Sequence, residues 1–380
     1  MAKRTIRLRK KEMPSSPVTT KDTIEPEDMG HPMKDPFDPS KIKVRPQTIT
    51  VDAIIKRIEH DEINLSTKFQ RKEGLWTDVQ QSRLIESILI RFPLPVFYFD
   101  GSNPNEWLVI DGLQRLSSLK RFIHTKELKL TGLEFLKLEG KGWKNLERPL
   151  QRQINETQLQ CYVIEEGTEE NVKFNMFKRI NTGGLVLSAQ EIRHAMHQGI
   201  PADFVKELAE LPAFLKATNK KISIDRMLDR DFINRFLAFY LYDYDKDYTY
   251  NDELDSFMNH TMVRLGKITN DKREEIKTQF VKAMQLAHEI FGKSAFCKSP
   301  NLKRINKALF EVISSSFAKL NPSEISKLKE SKEVFKKLFY DAIDTNKFRN
   351  SLTSDTGGKS NVTLRHNVLR NIIVQTMKNK

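Results

Sequence analysis

The chain has 380 residues, of which 38% are hydrophobic, 9% aromatic and 30% charged, a balance that can bury a core and excludes wholesale disorder. No run approaches the roughly 18 consecutive apolar residues that span a bilayer, and no apolar stretch near Met1 marks a secretory signal, so a cytoplasmic protein with no membrane partner is expected. Lys and Arg total 64 against 50 Asp and Glu, a formal charge of +14 that favours polyanions, DNA first, while the isolated Cys161 and Cys297 exclude a disulfide scaffold and a thiolate zinc site.

Residues 1–42 read as a disordered basic and polar tail. Lys3, Arg4, Arg7, Arg9, Lys10 and Lys11 open it, and Pro, Ser, Thr, Asp and Glu follow with almost nothing apolar to bury. Such an arm can hold DNA phosphates by releasing counterions, or simply be a solvated leader.

Regular patterning begins near Gln47. Ile49, Val51, Ile54, Ile55 and Ile58 fall at helical spacing around Thr50, a good N-cap residue. A brief strand is predicted at 63–65, then a helix over 78–90 with Val79, Leu84, Ile88 and Leu89 on one side. Pro93 and Pro95 end it, Val96-Phe97-Tyr98-Phe99 is extended, and residues 106–110 form a short apolar strand. That strand runs into Asp111-Gly112-Leu113-Gln114-Arg115, after which Leu116, Leu119, Phe122 and Ile123 mark a helix.

Residues 158–164 alternate as a strand, with Leu159, Cys161 and Val163 on one side. A helix over 169–180 meets Asn181-Thr182-Gly183-Gly184, and another starts after Ser188 with Glu191 in the capping-box position. Beyond Pro201 the pattern is helical, at 202–209, 230–242, 252–265, 271–291, 301–320 and 331–344, with a further helix at the C-terminus. The fold class predicted is α+β: a small mixed α/β domain over 43–199 followed by an all-helical domain over 200–380.

A glycine at a strand-to-helix junction lets the main chain approach a ligand, and the helix start offers unpaired N–H groups with partial positive charge. At such a junction Gly112 suits a phosphate. Arg115 can fork two N–H bonds onto phosphoryl oxygens, Asp111 can hold a metal-bound water or act as a base, and Gln114 can orient a water. A tight turn carrying a surface arginine is the plain reading of the same five residues.

Phe69-Gln70-Arg71, Trp76, Leu84-Ile85-Glu86-Ser87-Ile88-Leu89, Pro93-Leu94-Pro95, the strand ending Val109-Ile110, Asp111 to Leu116 and Ile180-Asn181-Thr182-Gly183-Gly184 occur in the order of a known pattern. Together, over about residues 47–199, they resemble the DUF262 family, the N-terminal domain type of the GmrSD modification-dependent restriction enzymes. The resemblance implies a fold like the ParB and sulfiredoxin N-terminal domains, whose strand-to-helix turn binds nucleotide phosphates. It also implies nucleoside triphosphate hydrolysis that regulates DNA cleavage. The family turn usually reads DGQQR; here it is DGLQR, so Asp111, Gly112, Gln114 and Arg115 carry over while Leu113 removes one amide. If that amide positions water or base, hydrolysis is weakened here and binding is kept. Gln70 and Arg71 carry over as further phosphate-binding residues, a guanidinium matching two oxygens better than an ammonium; a salt bridge from Arg71 to Glu86 is the alternative. Asn181 and Thr182 would line the pocket rim, although a helix C-cap explains Gly183 and Gly184 equally well.

Other constellations carry less. His194 and His197 lie three apart on a helix with no third ligand at a recognisable spacing. The run Phe236, Phe239, Tyr240, Tyr242, Tyr244, Tyr248 and Tyr250 is most simply core, and Asp243, Asp245 and Asp247 would repel a phosphate chain. Lys216, Lys220, Lys221 and Arg226, with the basic stretches 293–307 and 365–380, are the candidate phosphate contacts or else a solvated basic face. An HNH-type nuclease site is not evident around Arg365-His366-Asn367.

The expected function is a nucleotide-binding, triphosphate-hydrolysing protein that acts on or senses DNA in defence against phage or other foreign DNA. Its cofactors would be a nucleoside triphosphate and Mg2+, with Asp111 on the metal and Asp111 and Gln114 as the catalytic pair. The alternative is a non-enzymatic DNA-binding or adaptor module that recruits a separate nuclease. Direct nicking ranks lower for want of a carboxylate cluster, and homo-oligomerisation stays open.

Overall fold

The computed structural model describes residues 23–28, 42–65, 76–180, 187–248, 254–301 and 304–378. Five strands form one mixed sheet: β1 (Val44–Thr50), β2 (Ile63–Asn64), β3 (Phe97–Asp100), β4 (Trp107–Asp111) and β5 (Gln158–Ile164). Their order is β1-β5-β3-β4-β2. β1 runs antiparallel to β5, β3 runs parallel to β5 and antiparallel to β4, and β2 runs parallel to β4.

One face of this sheet is covered by α1 (Val51–Glu59), α2 (Asp78–Leu89), α3 (Leu113–Leu119) and α4 (Arg148–Glu156). Thr50 caps α1 by accepting from the Ala53 N–H at 3.3 Å, and Val51, Ile54, Ile55 and Ile58 are buried as their spacing predicts. Phe97, Phe99, Trp107, Val109, Leu159, Cys161 and Val163 meet these helices in one apolar core. On the other face α5 (Glu170–Ile180) and α6 (Ala189–Met196) cover Ile110 and Ile164 with Phe174, Phe177 and Ile192. The α+β class is as expected.

Several elements depart from the reading of the sequence. β1 was not foreseen, because Arg45-Pro46-Gln47 shows no apolar alternation; Pro46 is tolerated there because β1 is an edge strand. α4 was missed as well, since Ile154 is its one buried residue. The side chain of Val79 lies outside the apolar stripe of α2 and is exposed.

Beyond Pro201 the chain is helical. Leu228–Leu241, Leu254–Leu265, Asn270–Phe291, Lys307–Ala318, Lys332–Ile343 and Lys359–Lys378 are its longer helices. Phe232, Phe236, Phe280, Phe310 and Phe339 lie in their common core. The helix expected from 301 begins at Lys307, because Ile305 is extended and pairs with Ile24.

That pairing is the main correction to the expected tail. Residues 23–28 are docked among the helices: the Glu25 N–H donates to the Ile305 carbonyl at 2.9 Å, and the Ile305 N–H donates to the Thr23 carbonyl at 2.9 Å. The Glu27 carboxylate accepts from Arg235 Nη1 and Nη2 at 2.6 and 2.9 Å and from the Thr356 hydroxyl at 2.7 Å. A composition poor in apolar residues concealed this, because Ile24 alone packs on the helical core and the rest of the segment is held by charge and backbone bonds.

Candidate functional site

The β4–α3 turn is where the sequence placed its chemistry. Gly112 follows Asp111 with φ 104°, and a Cβ there would lie 2.4 Å from Phe97 Cδ1. Only glycine fits, both for the left-handed backbone and for the aromatic ring beneath it. The first intrahelical bond of α3 runs from the Leu116 N–H to the Gly112 carbonyl at 2.9 Å, so the amides of Leu113, Gln114 and Arg115 precede the helical ladder.

Arg115 is turned inward. Its guanidinium sits 4.2 Å from the centre of the Phe97 ring, and Nη1 donates to the Pro95 carbonyl. Nη2 donates to the Val96 carbonyl at 3.1 Å and to Asp111 Oδ2 at 2.8 Å. Burial pulls the Arg115 pKa below the ordinary arginine value, and the Asp111 carboxylate opposes that shift. The expected phosphate clamp is thus occupied by the chain's own oxygens. Pro95 and Val96 lie just before β3, outside the sheet ladder, and their carbonyls need donors that the strand does not supply.

The Asp111 side chain remains 40% exposed. Among the described residues its contact is through Oδ2 to Arg115, and no bond to Oδ1 is found. Gln114 is also committed locally: its Oε1 accepts from the Trp76 N–H at 3.2 Å. Trp76 itself packs against the core.

Gln70, Arg71, Asn181 and Thr182 lie outside the described residues. The residues that bracket them do border the turn's surroundings. Leu65 and Trp76 pack on the core that holds Phe97, and Ile180 and Leu187 pack on the cluster that holds Ile110 and Tyr98.

Glu86 has a role the sequence did not reveal. Buried in α2, its carboxylate accepts from the backbone N–H groups of Glu134, Phe135 and Leu136 at 2.9, 2.8 and 2.8 Å. Burial pushes its pKa up, and the three amides more than offset that, so the carboxyl stays below its ordinary range. A glutamate on the buried side of an amphipathic helix was the one available signal.

His194 and His197 are both interior. The His194 ring contacts Arg230 Nη1 at 3.3 Å, and burial, with help from Arg193 and Lys173, pulls His197 down to about 4. No group of three His, Cys, Asp or Glu among the described residues is arranged to hold a metal ion. Phe236, Phe239, Tyr244 and Tyr248 are buried, as a core reading predicts.

The basic candidates divide. Lys216 and Lys220 are exposed. Arg365 is fully buried on Glu311 at 2.6 Å, Lys307 pairs with Asp231 at 2.9 Å, and Lys298 pairs with Glu25 at 2.7 Å. These three are internal braces, not phosphate contacts. No helix among the described residues is long and apolar enough to cross a membrane.

Residues 53–198 match the family described as GmrSD restriction endonuclease, N-terminal domain. No curated protein matches the chain. The matched segment includes all but the first two residues of α1, β2 to β5 and α2 to α6, and therefore the whole β4–α3 turn. Its span agrees with the segment singled out by its motifs.

Proposed function

We propose that the protein is a nucleotide-binding, triphosphate-hydrolysing component of restriction-type defence against phage or other foreign DNA, with the nucleotide phosphates received at the β4–α3 turn. One observation carries this reading: Gly112, at φ 104° over the Phe97 ring, presents bare backbone directly before the amides of Leu113, Gln114 and Arg115, which precede the helical ladder. Those amides donate to phosphate oxygens. Arg115 is a positioning residue, fixing the Asp111 carboxylate and the chain before β3, rather than a clamp.

The residues present fit Mg2+ in its usual manner. A single carboxylate oxygen with no bond found to it among the described residues, Asp111 Oδ1, suits an ion that keeps several waters and takes its remaining ligands from phosphate. When bound, the ion withdraws charge from the phosphate oxygens. Asp111 would hold it in place, and Arg115 keeps that carboxylate oriented. Exposed Lys216, Lys220 and Lys293 are cations available to DNA phosphates.

A second reading has its own support. Leu113 packs toward the core where the family carries an amide, and Gln114 Oε1 is already engaged by Trp76. Both favour a module that binds nucleotide without turnover and recruits a separate nuclease. Phosphate release and thermal shift with each of the four ribonucleoside triphosphates and Mg2+, for the wild type and Asp111→Asn, decide between them. Turnover lost in the variant supports the enzyme; a raised Tm without turnover supports the binding module. Neither turnover nor a shift rejects the nucleotide site.

A further inference from the structure

We infer that Phe92 and Phe135 form a stacking surface for an unpaired DNA base, with Arg91 and Lys137 as its phosphate contacts. The assignment rests on the DNA part of the function proposed above and on nothing at the nucleotide turn.

The two rings depart from what the rest of the chain does with this side chain. Every other phenylalanine among the described residues is buried, whereas Phe92 keeps 55% and Phe135 64% of its surface exposed. Their centroids lie 6.1 Å apart, with planes 65° from parallel, so they touch edge to face. Such a contact covers one ring face at most, and flat aromatic surface stays open to solvent.

Neither ring is exposed through looseness of the chain. Arg91 ends α2 in the left-handed region, at φ 62°; its N–H donates to the Ile88 carbonyl at 3.1 Å and the Phe92 N–H to the Ser87 carbonyl at 2.8 Å. A helix stop of this kind commonly folds the side chain at the position of Phe92 onto an apolar residue at the position of Ser87. Serine gives it nothing to fold onto, and Phe92 projects. Its partner is fastened by the neighbouring Glu86, which accepts from the N–H groups of Glu134, Phe135 and Leu136. Arg83 adds a pair with Glu134 at 2.9 Å and a bond to the Gly132 carbonyl at 3.2 Å. Leu133 and Leu136 pack on the core while Phe135 stays outside it. A buried carboxylate thus fixes the segment that carries an exposed ring.

Charge and area together select the occupant. The acids nearby are engaged: Glu86 on its three amides, Glu134 on Arg83, and Glu139 on the Gly132 N–H at 3.0 Å. Arg91 and Lys137 are exposed and form no ion pair among the described residues. The uncommitted charge beside the rings is therefore positive and complementary to phosphate. Two half-exposed rings offer about 200–300 Å² of apolar surface, well short of the roughly 800 Å² per partner that a stable protein interface buries. One base suffices to cover a ring. Bases within a duplex present only their edges to the grooves, so an open ring face is matched by a base that is not paired.

The test measures binding of a fluorescein-labelled single strand, and of the same strand in a duplex, to the full chain by anisotropy across a salt series. Wild type should bind the single strand more tightly than the duplex. The double variant Phe92→Ala/Phe135→Ala should lose about tenfold or more of its single-strand affinity with its Tm unchanged, and Phe135→Trp should retain that affinity. Arg91→Gly suits the left-handed backbone and should weaken binding while making it less steeply dependent on salt. Full single-strand affinity in the double variant, or a wild type that binds single strand no better than duplex, overturns the surface and leaves the DNA reading in place. Loss of self-association in the double variant with DNA affinity unchanged assigns the rings to a second copy of the chain and overturns the inference. Binding of neither DNA by wild type overturns the DNA reading and the surface with it.

Discussion

Arg115 and Asp111 face each other across the first turn of α3 at 2.8 Å, and the same guanidinium ties down the Pro95 and Val96 carbonyls that precede β3. A residue expected to reach outward for phosphate instead joins two stretches of chain. Arg115→Ala would leave two carbonyls and a carboxylate without their donor in a largely buried setting. Removing one partner of a buried pair costs about 3–5 kcal/mol, and the partial exposure of Asp111 brings the expectation to about 3 kcal/mol. Lysine cannot span three acceptors with one ammonium, so Arg115→Lys should recover less than half of it. Urea unfolding curves measure both, and an Arg115→Ala protein as stable as wild type would show that the brace carries no load.

Glu86 makes a sharper prediction because it titrates. Its carboxylate anchors three consecutive amides, 134 to 136, and its folded pKa lies below the unfolded value. The unfolded chain therefore takes up the proton first as pH falls. The Glu86 contribution is present above the unfolded value of about 4.3 and is lost as pH drops through the folded pKa. Glu86→Gln should destabilise the protein at pH 7 and narrow its stability difference from wild type toward pH 3. A gap that stays constant over that range would contradict the assigned anchor.

The legible and illegible parts of this molecule divide along a physical line. Thr50, Ser188 and the apolar stripe of α1 could be read because capping and helical periodicity act within a few residues. Gly112 could be read because a strand-to-helix junction demands an unusual backbone. The partners of Arg115 could not, since they lie 19 and 20 residues earlier in a segment with no periodicity of its own. Glu27 was read as solvated tail for the same reason: its partners Arg235 and Thr356 lie 208 and 329 residues away. Local rules expose what a residue does to its own backbone, whereas long-range ion pairs leave no local trace.

Cys161 tests the core directly. It is buried between Leu159 and Val163 on the helix side of β5, and burial pushes its thiol up to about 11 while the Arg115 charge pulls the other way. Cys297 is buried too, and its thiol is likewise raised. Only the thiolate attacks a disulfide reagent. At pH 8 the native protein should react with an aromatic disulfide no faster than it unfolds, and two thiols should appear in guanidinium chloride. Rapid modification of one thiol in the native state would place that cysteine at the surface.

The docked segment 23–28 gives the last prediction. Glu27 is buried against Arg235, which also lies 3.6 Å from Glu311, and Lys307 stands 3.6 Å from the same Glu27 carboxylate. Burial raises the Glu27 pKa, but the charges of Arg235 and Lys307 and the bonds from Arg235 and Thr356 outweigh it and hold the group below its ordinary value. Glu27→Ala would leave a buried guanidinium short of its bidentate partner, at an expected cost of about 3–5 kcal/mol. Because the folded pKa is depressed, this contribution is again present at neutral pH and fades on acidification through the folded pKa. Deleting residues 1–28 should destabilise the helices at least as much, since it also removes the backbone bonds to Ile305 and Thr356. Amide exchange at Ile305 and Thr356 reports the loss locally: both amides donate to this segment, so both should exchange faster in the truncated protein while the α3 ladder from Leu116 onward keeps its protection. Unchanged protection at Ile305 would mean that the segment merely lies against the surface.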